Sequence, residues 1–224
     1  MPRSNRYFQA GHIYHVTHRC HQRKFLLAFK KDKQRYRYWL FKATQHYHLS
    51  VLNYVITSNH IHLLVADRGE DSISNSMRFT ASRLAYEFNR RKKKDNGSFW
   101  EGRFFSTAVQ SGDYLLNCMI YIDFNMVRCG AVKHPKEWQF GGYSELLKPR
   151  KRYCVIDIPL LLKLFGFSNL DEFMLEYNQQ INQRLESPIF KREPRWTEKV
   201  AVGDPEYVKA FQQQKGAEYF KVAF

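Results

Sequence analysis

Residues 51–66 read VLNYVITSNHIHLLVA. Residues 51–57 are rich in β-branched and apolar side chains, the composition of a buried strand. Ser58-Asn59 is a turn signal, and His60–Ala66 (HIHLLVA) then reads as the returning strand of a hairpin. Working outward, residues 12–18 (HIYHVTH) alternate apolar and polar positions as a strand does. Asp32 can cap a helix that carries Tyr36, Leu40, Ala43 and Tyr47 on one face. On the other side of the hairpin, Ser74 or Ser76 starts a helix with Met77, Ala81, Leu84, Ala85 and Phe88 inward, and Asp95-Asn96-Gly97 breaks it. Residues 103–110 (RFFSTAVQ) read as a strand, and Ser111-Gly112-Asp113 opens a helix that ends near Cys129-Gly130. The order is β-α-β-β-α-β-α. Its first six elements match an α+β, ferredoxin-like (split βαβ) antiparallel sheet with helices on one face.

Past Pro149 the character changes. Asp157-Ile158-Pro159 reads as an N-cap with proline in the first turn, and Gly166 as the stop. Ser168 and Asp171 form a capping box for a helix to about Leu185, residues 187–197 read as a linker, and Asp204-Pro205 opens a helix that stops at Gly216. The expected organisation is a domain over residues 1–150 and a small helical C-terminal appendage over 151–224.

The charge divides at the same place. The chain has 224 residues and a formal net charge of +15. Residues 1–150 hold 25 Lys and Arg against 11 Asp and Glu, a net of +14, together with all nine histidines. A basic domain joined to a near-neutral segment points to a polyanionic partner, most often nucleic acid. The bland alternative is a basic surface that only keeps the protein soluble. With 44% hydrophobic residues the chain can bury a core, which excludes a disordered protein. No run approaches the ~20 apolar residues that span a bilayer, and the N-terminus carries no secretory pattern, so a cytoplasmic protein without membrane contact is expected. Cys20, Cys118, Cys129 and Cys154 have no CxxC spacing and read as reduced thiols.

Three constellations can carry chemistry. In a strand, His60 and His62 point to the same face, and two neighbouring imidazoles can bind one divalent metal. The same spacing arises when one histidine bonds a backbone carbonyl and the other is solvated. Tyr121, Asn125 and Arg128 are spaced i, i+4, i+7 on one helix face, opposite the apolar Leu115, Met119, Ile122 and Met126. The Asn125 amide oxygen can ligate a metal and the Tyr121 hydroxyl can be a nucleophile, although a tyrosine half-buried at a helix–sheet boundary is common. Arg90-Arg91-Lys92-Lys93-Lys94 ends the preceding helix. Five cations there suit phosphate contact and equally suit the negative end of the helix dipole. Trp100 can stack on an unpaired base or sit in the core.

Taken in order, GHIYHVTHR (residues 11–19), SNHIHLLV (58–65), FNRR with GSFWEGRF (88–91 and 97–104) and YLLNCMIYIDFNMVRCGAV (114–132) resemble the single-tyrosine HUH transposases. The branch they are most similar to is the REP-associated tyrosine transposases. The likeness spans about residues 7–147. It implies metal-dependent cleavage and rejoining of single-stranded DNA beside a hairpin, through a covalent 5′-phosphotyrosine. It makes Tyr121 the nucleophile, and His60, His62 and Asn125 the ligands of Mg²⁺ or Mn²⁺. The DNA contacts fall to Arg90, Arg91, Lys92, Lys93, Lys94, Trp100, Arg103 and Arg128. The partner is then a hairpin-bearing single strand, and the chain acts as a monomer or homodimer, either a transposase or a domesticated relative acting on repeat palindromes.

Three departures stand out. Asn125-Met126-Val127-Arg128 replaces the family's Asn-Pro-Val-Arg, which removes a helix stop. Trp100-Glu101 stands for Trp-Gln, and Arg19-Cys20-His21 for Arg-Gly-Asn. The competing function is a non-catalytic binder of structured single-stranded DNA or RNA on the same sheet. A metallohydrolase acting on a small substrate is weaker, because it leaves the cationic run and the Tyr121 face unused.

Overall fold

The computed structural model describes residues 8–93, 97–186 and 191–221, with side chains to residue 214. Five strands form one sheet: β1 (Ile13–Arg19), β2 (Ser50–Ile56), β3 (His60–Ala66), β4 (Phe105–Val109) and β5 (Ala201–Val202). Their order is β2-β3-β1-β4-β5. The first four pair antiparallel in the split βαβ arrangement, and β5 adds a parallel edge to β4. β2 and β3 are the hairpin read from residues 51–66. The Thr57 amide donates to the His60 carbonyl at 3.0 Å and closes a two-residue turn.

Strand alternation sorts β1 into two faces. Tyr14, Val16 and His18 point one way; Ile13, His15 and Thr17 point the other. Helices α1 (Lys30–His46) and α2 (Ser72–Arg91) pack against each other on the His18 face, as expected for this layout. Helix α3 (Asp113–Asp123) covers the opposite face, where Tyr121 meets His15 and His62. The sheet is therefore covered on both faces and not on one as expected, which explains why β2 and all but the first residue of β3 are buried.

Several local expectations shift. Helix α1 begins at Lys30, and the Asp32 carboxylate accepts from Arg91 of α2 instead of capping its own helix. Helix α2 begins at Ser72, right after Glu70 and Asp71 in left-handed conformation. After α3 the chain breaks only at Phe124, and a last turn, α4 (Asn125–Arg128), carries the line on to Cys129. The missing proline fits this continuation.

The described part of residues 151–224, expected as an appendage, is mostly helical and packs in part on the main core. A short helix, α5 (Gly142–Leu147), precedes them. Helix α6 (Ile158–Phe165) is capped as read: Asp157 Oδ1 accepts from the Leu160 amide, and Gly166 ends it in left-handed conformation. Helix α7 (Leu170–Glu186) is capped by Asn169, whose oxygen accepts from the Glu172 amide, and not by Ser168. Phe173, Tyr177 and Ile181 of α7 join the main core. Part of the expected linker folds as α8 (Arg195–Glu198), which buries Trp196 completely; residues 187–190 lie outside the described residues. Helix α9 (Pro205–Lys221) continues through Gly216. No helix among the described residues is long and apolar enough to cross a membrane.

Candidate active site

The His60 and His62 rings lie side by side on β3, with centroids 4.9 Å apart. The register sets His62 opposite Thr17 and His60 opposite Arg19. His15 is two residues from Thr17 on the same face, diagonal to His62. Its Nε2 lies 2.8 Å from His62 Nδ1, and its Nδ1 lies 2.8 Å from the Trp196 carbonyl oxygen. His60 is held from its other side: its Nδ1 is 2.7 Å from Asn59 Oδ1, while the Asn59 amide nitrogen donates to the Arg23 carbonyl. Burial pushes His15 and His60 down to about 4, and His62 well below its usual range. All three imidazoles are neutral near pH 7.

The helix across the cleft supplies the other groups. Helix α3 buries Leu115, Met119 and Ile122 as the apolar face predicts, with Met126 of α4 below them. The second face is not solvated: Tyr121 is only 5% exposed. Its ring centroid is 6.0 Å from that of His15, 6.1 Å from His62 and 6.1 Å from Trp196. The Arg128 guanidinium lies 4.1 Å from the Tyr121 ring centroid, a cation–π contact, and donates to the Tyr121 carbonyl at 2.7 Å. Burial pushes the Tyr121 hydroxyl up; Arg128 and Arg192 oppose that shift. Asn125, one turn on, brings its amide nitrogen to 3.1 Å from His62 Nε2. The i, i+4, i+7 spacing thus does bring Tyr121, Asn125 and Arg128 to the histidine pair.

His60, His62, Tyr121, Asn125 and Arg128 line an open cleft of about 810 Å³, with His15 and Trp196 behind it. Its cations are Arg19, Arg23, Arg103, Arg128 and Arg192, with Glu101 and Glu198 on the rim. Of the residues expected to contact DNA, Arg103 and Arg128 are therefore at the cleft. Arg90, Arg91, Lys92 and Lys93 are exposed at the end of α2 but do not line it, and Arg91 is paired with Asp32; Lys94 lies outside the described residues. Trp100 is a correction. It is 8% exposed, its ring stacks on His18 at 4.1 Å and its N–H donates to the Ala81 carbonyl, so it is a core residue with no free face for a base. Sequence reasoning missed His15, Arg19, Arg23, Arg192 and Trp196. His15 stood in a legible strand, but only the register shows which face it shares.

The donor chemistry fits a divalent cation. With Nδ1 of His60 and His62 each engaged on the far side, their Nε2 atoms are left facing Asn125, whose amide nitrogen contacts His62 Nε2 and which can flip to turn its oxygen toward the same point. Among the described residues no group of three or more His, Cys, Asp or Glu side chains is arranged to hold a metal. Two imidazoles and one amide make a partial, uncharged donor set. It would leave coordination positions for water and for phosphate oxygens, which would have to supply the negative charge that carboxylates usually bring to Mg²⁺.

The sequence profile of the family described as "Transposase IS200 like" matches residues 8–125. No curated protein matches the chain. Among solved structures, a REP-associated tyrosine transposase bound to a REP hairpin is similar with a TM-score of 0.54 and 21% sequence identity, over 66% of this chain and 87% of that one. A putative transposase from Deinococcus radiodurans R1 aligns over 48% of this chain and 86% of that one, with a TM-score of 0.38 and 15% identity. The first of these likenesses supports the fold; the second is too low to carry an argument.

Proposed function

Starting from a chain that belongs to the IS200-like transposase family, we propose that it cleaves and rejoins single-stranded DNA beside a hairpin through a covalent 5′-phosphotyrosine on Tyr121. The observation that carries this reading is the Tyr121 ring facing His62 across an arginine-lined cleft, with Asn125 against the same histidine. In the proposed step the Tyr121 oxygen attacks the scissile phosphorus and the P–O3′ bond breaks. The phenol loses a proton and the departing 3′-oxygen gains one. One phosphodiester is exchanged for another, so the reverse attack by a 3′-hydroxyl rejoins a strand without ATP.

The phenol is protonated near neutral pH, since burial raises a pKa that is ~10 to begin with. Arg128 and Arg192 stabilise the phenolate as it forms. Arg128 also holds the ring in place from one face. His60, His62 and Asn125 are the proposed ligands of Mg²⁺ or Mn²⁺, which when bound polarises the scissile phosphate and eases departure of the 3′-oxygen. Arg19, Arg23 and Arg103 supply phosphate contacts along the cleft. The exposed Arg90, Lys92 and Lys93 are proposed to touch DNA beyond it. The REP hairpin held by the structural relative supports a palindromic hairpin as the partner of this chain.

The test is incubation of the full chain with Mg²⁺ or Mn²⁺ and hairpin-bearing single strands, followed by denaturing electrophoresis. Wild type is expected to give a denaturation-resistant protein–DNA adduct, and Tyr121→Phe none. An adduct that persists in Tyr121→Phe, or a wild type that forms none on any palindromic hairpin of its own genome, overturns the proposal.

A further inference from the structure

We infer that His15 is a positioning residue: with the Trp196 main-chain carbonyl it forms a hydrogen-bond relay that sets the tautomer of His62, so that Nε2 presents a lone pair to the cleft. The inference rests on the reading of His62 as a metal ligand.

The relay has one direction because it begins at an atom that can only accept. The Trp196 carbonyl is 2.8 Å from His15 Nδ1, so that nitrogen carries the hydrogen. With its hydrogen on Nδ1, the fully buried His15 ring offers Nε2 as the acceptor. His62 Nδ1, 2.8 Å away, must then donate. A neutral imidazole has one N–H, so His62 Nε2 is bare, on the side where Asn125 lies 3.1 Å away. The two rings are within 13° of parallel, which suits an in-plane bond between their edges. In water a neutral imidazole favours hydrogen on Nε2, so the relay reverses the default. Second-shell partners commonly fix ligand histidines in this way. His60 has its own device, with Nδ1 donating to Asn59.

The starting carbonyl is held firmly. Trp196 is completely buried, and the buried Thr107 of β4 donates to the Lys199 carbonyl just beyond it at 2.7 Å. The near-neutral C-terminal segment thereby reaches the site through a backbone atom, across 181 positions of sequence.

The experiment uses the full chain, metal-free and ¹⁵N-labelled at histidine. Long-range ¹H–¹⁵N correlation spectra read the tautomer, and Mn²⁺ titration by calorimetry or electron paramagnetic resonance reads affinity. In wild type, His62 is expected with Nδ1 protonated and Nε2 bare. His15→Phe is expected to shift His62 toward the Nε2-protonated form and weaken Mn²⁺ binding about tenfold or more. His15→Gln, whose side-chain oxygen can still accept from His62 Nδ1, is expected to keep the tautomer and most of the affinity. A wild-type His62 protonated on Nε2 overturns the inference, as does a folded His15→Phe with tautomer and affinity unchanged. If His15→Phe does not fold, the wild-type tautomer decides. Neither readout needs DNA cleavage. A correct tautomer with no tyrosine adduct would defeat the transesterase reading and leave the relay standing.

Discussion

Trp100 has an apolar ring and an indole N–H, and both are engaged inside the protein, by His18 and by the Ala81 carbonyl. Its neighbours Tyr36 and Phe99 meet the ring edge-on. Trp100→Ala is therefore expected to cost about 3–5 kcal/mol of stability, read as a lower urea midpoint, with little change in single-strand affinity of the folded fraction. Unchanged stability with tenfold weaker binding would return Trp100 to the DNA surface. A tryptophan among cations suits stacking and core alike; burial decides between them. Tyr121 shows the converse: its spacing with Asn125 and Arg128 was legible, but its burial beneath Trp196 was not.

At the scale of elements, helix α6 illustrates how a cap ties secondary structure to the sheet. Asp157 accepts from the Leu160 amide with one oxygen and from Ser50 of β2 and Arg68 with the other. Burial pushes the Asp157 carboxyl up, but the bonds from Ser50, the Leu160 amide and Arg68 outweigh it and leave the pKa below the ordinary value. A carboxyl lowered by folding stabilises fully above its unfolded pKa, ~3.9, and loses that contribution as pH falls through the folded value. Asp157→Ala is expected to cost about 1 kcal/mol at pH 7, since the Arg68 pair is half exposed and screened. The gap between variant and wild type in urea midpoint is expected to narrow below pH 4; a gap independent of pH would show that the charge plays no part. This cap was readable because Asp-x-Pro before an apolar run is a local signature. The start of α1 was not, because the Asp32 carboxylate is taken by Arg91 of another helix.

At the scale of the molecule, the charge boundary near residue 150 does not coincide with a break in packing. The segment beyond it contributes Ile156, which bridges to Val51, the β5 edge of the sheet, and the buried Phe173, Tyr177, Ile181 and Trp196. Tyr177 also donates to the buried Asp123, two residues from Tyr121. A chain cut after residue 150 is expected to lose cooperative thermal unfolding and to aggregate, as circular dichroism and size-exclusion chromatography would record. A soluble, cooperatively melting fragment that still bound Mn²⁺ would make residues 1–150 self-sufficient. The +15 net charge is likewise refined by the fold: the arginines that line the cleft come from four separate segments, not from the one cationic run.

The first four strands, the hairpin, the pairing of His60 with His62 and the row Tyr121, Asn125, Arg128 were all determined by sequence. Each depends on a local repeat, two residues per strand period or 3.6 per helical turn, that side-chain type reveals directly. The tertiary structure alone decided that His15 stands behind His62, that a carbonyl from α8 orients both, that Trp100 is core and that α3 closes the second face of the sheet. These depend on strand register, on contacts between distant segments and on main-chain atoms. A backbone carbonyl is the same in every residue, so no side-chain pattern marks the one that a buried histidine will meet.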